Sequence, residues 1–459
     1  MSKLAKALLI IGFSLLLLSF LTANTAHIAQ PPPSSIEAKL LANNAYILQN
    51  REAQSVYVYL ELKAAKAPES KDKLPLNISL VLDRSGSMAS ERKLEYAKKA
   101  AEFVVENLSS KDHFSLVVYD DEVKTLSQSA KVSNKQPIKN RIELIEAGNT
   151  TNLSGGMLQG YHEVKTTFGE KAVNRVLLLS DGLANEGITD PKELQKIVQG
   201  RSTEQGISLS TFGVGADFNE DMMTNLAEYG SGNYYFIDNA DKIPAIFAQE
   251  LNGLLSVVAQ NAQVEINYPT TYLKLAKLYG YPYSETQKGN IKVEFKDVFS
   301  EETKAVLLKF DVIQTPDEAL NITSKITYDD ALGDYSREVI DQEATFEITE
   351  DSTLYKEHVN ELVAKNILLF EANEEMEKAL AMVDEYKYDE AKDVLDNCIR
   401  KMTGSLSIIQ ADTSLNEQYM SIKNYRKQID EIKEMNEQER KMMQKANKSS
   451  NYMLKKKKQ

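Results

Sequence analysis

The chain of 459 residues is too long for one ordinary domain, and its 42% hydrophobic content supports a sizeable core, which excludes global disorder. With 54 Lys+Arg against 67 Asp+Glu the formal net charge is −13, the wrong sign for phosphate binding, so nucleic acid is excluded as a partner of the whole chain. A single cysteine, Cys398, excludes an intramolecular disulfide framework and a cysteine-based zinc site, and four histidines leave little room for a histidine cage.

Residues 1–29 begin with Lys3 and Lys6, followed by an apolar run from Ala7 to Leu21. This is the pattern of a secretory signal peptide or, if retained, of an N-terminal membrane anchor. Export agrees with the avoidance of cysteine. Residues 30–36, with Pro31, Pro32 and Pro33, read as a stiff linker. Residues 37–73 hold N-terminal strands, among them SVYVYLELKA, whose apolar residues alternate as in a half-buried strand.

Between 74 and 256 the runs ISLVL, FSLVVY, VLLLS, ISLSTFGV and YYFI alternate with helix-like stretches near 92–107, 136–146, 154–167, 190–203, 219–229 and 241–256. Such alternation predicts a doubly wound α/β unit, a mostly parallel sheet covered on both faces. Residues 257–350 change to short period-two runs separated by polar turns, which predicts an antiparallel β-sandwich. The strand at 55–63 has no partner in the α/β unit and is assigned to this later sheet, making the α/β unit an insertion. Residues 351–447 are helical in pattern: a tetratricopeptide-like hairpin with a third helix near 413–446. One hairpin cannot build a solenoid. Residues 448–459, ending in lysines, read as a basic disordered tail.

The residues that carry chemistry lie in three loops. Asp83, Ser85 and Ser87 follow the strand ISLVL and precede an amphipathic helix. Asp181 follows VLLLS, and Thr151 lies in a polar loop, 148–154, that starts a helix. Strand ends leading into helices are where open α/β sheets place ligands. Two carboxylates and several hydroxyls, without histidine or cysteine, suit magnesium, or else manganese or calcium. Asn185 and Glu186 read as turn formers, with a rim contact as the alternative, His113 as a strand-end residue, and Cys398 as core.

The segments D-R-S-G-S-M, T-N-L-S-G-G-M and L-L-L-S-D-G-L-A-N-E-G-I resemble the von Willebrand factor type A domain with its metal-ion-dependent adhesion site, over about residues 74 to 256. The resemblance implies that Ser85 and Ser87 coordinate the ion directly and that Thr151 does so directly or through water. It implies that Asp83 and Asp181 hold coordinated waters, and that an acidic residue of a protein partner takes the remaining position. Two positions depart from the family pattern: Thr150 stands beside Thr151 as a competitor, and Ser180 replaces a common threonine.

The expected function is therefore an exported, non-enzymatic binding protein, periplasmic, surface-bound or secreted, that captures an Asp or Glu of a protein partner in adhesion or envelope assembly. No Ser/His/Asp arrangement and no H-E-x-x-H motif is present to support hydrolysis. The alternative is an assembly scaffold acting through its helical C-terminus, with a structural or vestigial metal site. By resemblance, the last helix of the α/β unit, 241–256, is a candidate affinity switch.

Overall fold

Strand β1 (Ile36–Ala42) opens the fold, followed by β2 (Tyr46–Leu48) and β3 (Ser55–Ala64). The computed structural model describes residues 34–49, 53–68 and 73–457. The expected signal or anchor at 1–29 lies outside them, as does the proline-bearing part of the linker. The linker ends earlier than the sequence suggests, because Ser35 is buried with its hydroxyl on Asp330 and Ile36 is already strand.

The chain then enters the α/β unit. Its elements are β4 (Leu76–Asp83), α1 (Lys93–Asn107), β5 (His113–Tyr119), β6 (Val123–Lys131), α2 (Gln136–Glu143), α3 (Leu153–Thr166), β7 (Val173–Ser180), α4 (Pro191–Gln205), β8 (Ser208–Val214), α5 (Glu220–Tyr229), β9 (Tyr234–Ile237) and α6 (Ile243–Leu254). The strand order is β6-β5-β4-β7-β8-β9, parallel throughout except where β6 returns against β5. Strand β6, VKTLSQSAK, escapes the apolar-run criterion because an edge strand facing solvent needs no continuous apolar run. The central strands are buried on both faces. Leu80 and Leu82 join one cluster with Ala97, Ile142 and Phe247, while Val81 joins another with Met157, Leu194 and Met222. Those two clusters are the two helix layers of a doubly wound sheet.

Seven further strands follow: β10 (Val257–Asn267), β11 (Leu273–Tyr279), β12 (Tyr283–Gln287), β13 (Asn290–Phe299), β14 (Thr303–Val312), β15 (Leu320–Asp330) and β16 (Arg337–Thr349). Two sheets result, β1-β3-β14-β11 and β12-β13-β10-β15-β16-β2. Residues of both, such as Val58, Leu60 and Leu308 with Val264, Val293 and Ile326, share one buried cluster. Strand β3 lies antiparallel between β1 and β14, so the described chain enters the β layer first, leaves for the α/β unit and returns. The β layer is not wholly antiparallel: the short β2 pairs in parallel with the end of β16.

Helices α7 (Ser352–Glu357), α8 (Glu361–Asp384), α9 (Tyr388–Thr403), α10 (Leu406–Ala411), α11 (Thr413–Glu434) and α12 (Glu437–Lys457) complete the chain. The outer face of the four-stranded sheet packs on α8 through Tyr59, Leu307, Val363 and Phe370. Cys398 is buried in the helical cluster.

Two expectations fail here. The helix expected at 413–446 breaks at Met435, whose backbone is extended, and Asn436 accepts a hydrogen bond from the Glu439 N–H at 2.9 Å to start α12. The expected tail at 448–459 is helical to Lys457 and packed. Lys445, Lys448, Tyr452 and Lys455 recur at helical spacing and share one face. Lys448 pairs with Asp221 at 3.1 Å and Asp384 at 2.6 Å, Lys455 with Glu228 at 3.4 Å, and Lys445 donates to the Phe218 carbonyl at 2.7 Å. The helix is held there because Lys448 and Lys455 meet Asp221, Asp384 and Glu228. Among the described residues, no helix is long and apolar enough to cross a membrane.

A buried pair joins the α/β unit to the β layer. Arg175 of β7 donates to Asp297 of β13 at 2.8 Å, and Gln260 donates to the other Asp297 oxygen at 2.9 Å. Removing one partner of a buried pair strands the other charge. Asp297→Asn is expected to destabilise the protein by about 3 kcal/mol in urea unfolding, and Arg175→Met combined with Asp297→Leu by less than that. Equal losses in the two variants would show that the pair does not couple the units.

Candidate metal centre

The sheet register builds the site. Strands β4 and β7 run in parallel with Leu82 opposite Leu179, so Asp83 and Ser180 end side by side. Each strand end then passes into a loop. Asp83 is fully buried, and both its oxygens are taken: Oδ1 accepts the Ser85 N–H at 2.8 Å, and Oδ2 accepts the Ser180 hydroxyl at 2.7 Å. Burial pushes the Asp83 carboxyl up to about 6, against the pull of those hydrogen bonds.

In front of Asp83 lie the hydroxyls. Ser85 Oγ and Ser87 Oγ are 3.1 Å apart, and Ser87 Oγ donates to Asp181 Oδ1 at 2.6 Å. Asp181 is fully buried, whereas Ser87 is exposed, so the cluster opens to solvent on the serine side. Asp181 Oδ2 accepts the Lys93 ammonium at 2.9 Å.

The second loop closes the third side. Thr151 is buried and Thr150 is exposed, its hydroxyl donating to Glu186 Oε1 at 2.5 Å. A Cβ added to Gly182 would stand 3.3 Å from Thr151 Oγ1 and 3.8 Å from Ser87 Oγ. The glycine thus leaves a hollow edged by those two hydroxyls. Cross-bracing holds the loops together: the Gly86 N–H donates to the Asn149 carbonyl at 2.8 Å and the Gly148 N–H to the Arg84 carbonyl at 2.6 Å. Arg84 pairs with Asp120 at 2.7 Å. Asn152 caps α3 by accepting the Gly155 N–H at 2.9 Å.

All five residues singled out in the sequence thus converge on one end of the sheet. Three others have roles beyond that reading. Ser180 is a hydrogen-bond donor to Asp83. Asn185 is no simple turn former: its side chain accepts the Thr151 N–H at 3.0 Å and its N–H donates to the Thr151 carbonyl at 3.3 Å, tying the second and third loops. Lys93 was legible in principle, because it falls in helical register with the buried Ala97, Ala100, Ala101 and Val104. A charge on the buried face of a helix needs a partner.

The donor set fits a hard divalent cation. Magnesium holds octahedral oxygen ligands at about 2.0–2.1 Å, which sets neighbouring donors about 3 Å apart, the spacing of the two serine hydroxyls. Among the described residues no group of three or more His, Cys, Asp or Glu side chains is placed to hold a metal, so hydroxyls are needed to complete a shell.

Residues 77–249 match the family model described as von Willebrand factor type A domain. The uncharacterized protein YfbK of Escherichia coli is 30% identical over 231 residues, covering 50% of this chain and 39% of that one. An uncharacterized protein of Synechocystis is 28% identical, covering 58% of this chain and 64% of that one. The chain thus spans less than two thirds of the length of these relatives. Among solved structures, a von Willebrand factor type A protein from Catenulispora acidiphila has a TM-score of 0.67 at 14% identity, covering 85% of this chain and 90% of that one. The ArnB paralog VWA2 from Sulfolobus acidocaldarius has a TM-score of 0.59 at 17% identity, covering 91% and 99%. These likenesses show the fold, and they extend beyond the α/β unit into the β layer and helices.

The raised Asp83 carboxyl gives a pH signature. Its ordinary value is 3.8 and its folded value about 6, so between them the folded state holds a proton that the unfolded chain has released. The contribution of this group to stability therefore falls as pH rises through that window. In EDTA, the stability of Asp83→Asn relative to wild type is expected to increase from about pH 4 to 6 and to level off above about pH 7. Urea midpoints across that range measure it, and a difference independent of pH would refute it.

Proposed function

Residues 77–249 form a von Willebrand factor type A domain, and from that premise we propose that the protein is a non-enzymatic binding protein that captures an acidic residue of a protein partner through a divalent cation. Domains of this type commonly mediate protein–protein interaction through a metal-ion-dependent adhesion site. Ser85 and Ser87 would hold the ion directly, Thr151 directly or through water, and Asp83 and Asp181 through water. The ion, magnesium or manganese or calcium, supplies the positive charge that attracts the partner's carboxylate.

The observation that carries this reading is the layered oxygen cluster. Two buried carboxylates stand behind the hydroxyls of a buried Ser85 and an exposed Ser87, whose Oγ atoms are 3.1 Å apart. Both Asp83 oxygens are engaged by the chain itself, which leaves the outer positions to hydroxyls, waters and a partner. The N-termini of α1 and α3 lie beside the loops and favour an incoming anion. Leu183, 57% exposed beside Asp181 and Gly182, adds an apolar contact on the rim.

Export to the periplasm, the cell surface or the medium is part of the proposal and rests on Lys3, Lys6 and the apolar run from Ala7 to Leu21. A second reading, assembly through the helical region, is favoured by Leu406, Ile408 and Met420, which are 36%, 37% and 46% exposed on neighbouring helices.

The test is a pull-down from envelope and culture-fluid proteins of the source organism with magnesium, with EDTA, and with Asp83→Ala. A partner retained by wild type plus magnesium alone, with at least a tenfold loss in the other two arms (~1.4 kcal/mol), is the expected result. Equal retention in all three would move the function to the helical surface.

A further inference from the structure

Lys93 is the first residue of α1 and a cation within the cluster. Its side chain is 8% exposed, and its ammonium lies 2.9 Å from Asp181 Oδ2, while the other oxygen of the same carboxylate receives the Ser87 hydroxyl at 2.6 Å. The backbone leading to it is strained: Glu91 and Arg92 are successive non-glycine residues with φ of 53° and 57°. Left-handed residues in succession persist only where the surroundings over-determine them, and they concentrate at functional sites. Gly215, at φ +77°, lies beside the amine, and a Cβ there would stand 3.5 Å from Lys93 Nζ. Strain before the residue and a bare backbone beside it both serve to seat one ammonium on one carboxylate.

The charges explain what it does there. Asp83, Asp181 and Lys93 are all buried, and together they leave the cluster one charge negative. The neighbouring Arg84–Asp120 pair cancels itself. A divalent ion would turn that cluster one charge positive, and a single external carboxylate would bring it to neutrality. Without Lys93 the ion alone would neutralise the two aspartates, and a partner's carboxylate would leave an uncompensated negative charge in a site where such charge is costly.

We infer that Lys93 sets the charge of the site: it weakens the hold on the bare ion and reserves the surplus positive charge of the loaded site for one carboxylate. This rests on reading the cluster as a cation site. The preferred ligand is then a singly charged acidic group, and the ion and that ligand bind cooperatively.

The test uses the full chain, Mn²⁺ as the ion and acetate as the carboxylate. Mn²⁺ uptake is read from loss of the free ion's EPR signal, and acetate from the fall in water-proton relaxation as it displaces bound water. Lys93→Met and Lys93→Gln are expected to bind Mn²⁺ about tenfold tighter, and their loaded forms to bind acetate about tenfold more weakly, with Lys93→Arg near wild type in both. If Lys93→Met fails to fold, Lys93→Gln carries the comparison. A folded neutral variant with unchanged or weaker Mn²⁺ affinity, or with unchanged acetate affinity, would overturn the inference. Mn²⁺ uptake by the neutral variants but not by wild type would support it while sinking metal-dependent capture as the function. No uptake by any of these proteins would sink both.

Discussion

Two carboxylates buried at the end of a parallel sheet are the constraint around which the rest of the α/β unit is arranged. A buried carboxylate is tolerable only when each oxygen finds a donor or a counter-charge. Asp83 takes a backbone N–H and the Ser180 hydroxyl, and Asp181 takes the Ser87 hydroxyl and the Lys93 ammonium. The loops owe their shape to this need. The turn that starts at Gly86 and the left-handed pair that precedes α1 bring Ser87 and Lys93 to the Asp181 oxygens. In front of them stand the hydroxyls of the buried Ser85 and the exposed Ser87, at a spacing that suits a small hard cation.

The same logic of burial links the cluster's unit to the others. Arg175 leaves the far end of β7, the strand that ends in Ser180, and meets Asp297 in the β layer. Helix α6 runs directly into β10, and the buried Glu250 on that helix accepts from Ser210, Asn233 and Tyr235 at 2.5 to 2.9 Å. The α/β unit is thus tied to the β layer by charge and by chain continuity, and to the helices by α12.

Much of this was legible in the sequence, and the reasons are physical. Fully buried parallel strands read as apolar runs, so β4, β7 and β8 announce themselves, and the acidic loops after β4 and β7 follow. Strand β3 shows a clean alternation that a parallel core strand would lack, which is why its place lies in the other layer. What was hidden depended on tertiary partners. Strand β6 has one neighbour and a polar sequence. Asn185 looks like a loop residue until the second loop arrives beside it. The lysines of α12 look solvated until Asp221, Glu228 and Asp384 are placed opposite. Local sequence reports what a segment can bury, whereas charge partners from distant segments must be folded before they can be seen.

The contact between β9 and α12 has one more consequence. Strand β9 ends the sheet, and the backbone N–H of Tyr234, which points away from β8, donates to the Tyr452 hydroxyl at 3.2 Å while the two rings meet edge to face. An open sheet edge is a template on which another chain can add a strand. Here α12 lies against that edge and occupies one of its outward donors with a phenol. The opposite edge, β6, is short of apolar residues and carries Lys124 and Lys131. Both edges of this sheet are thus guarded against strand addition, one by α12 and the other by lysines.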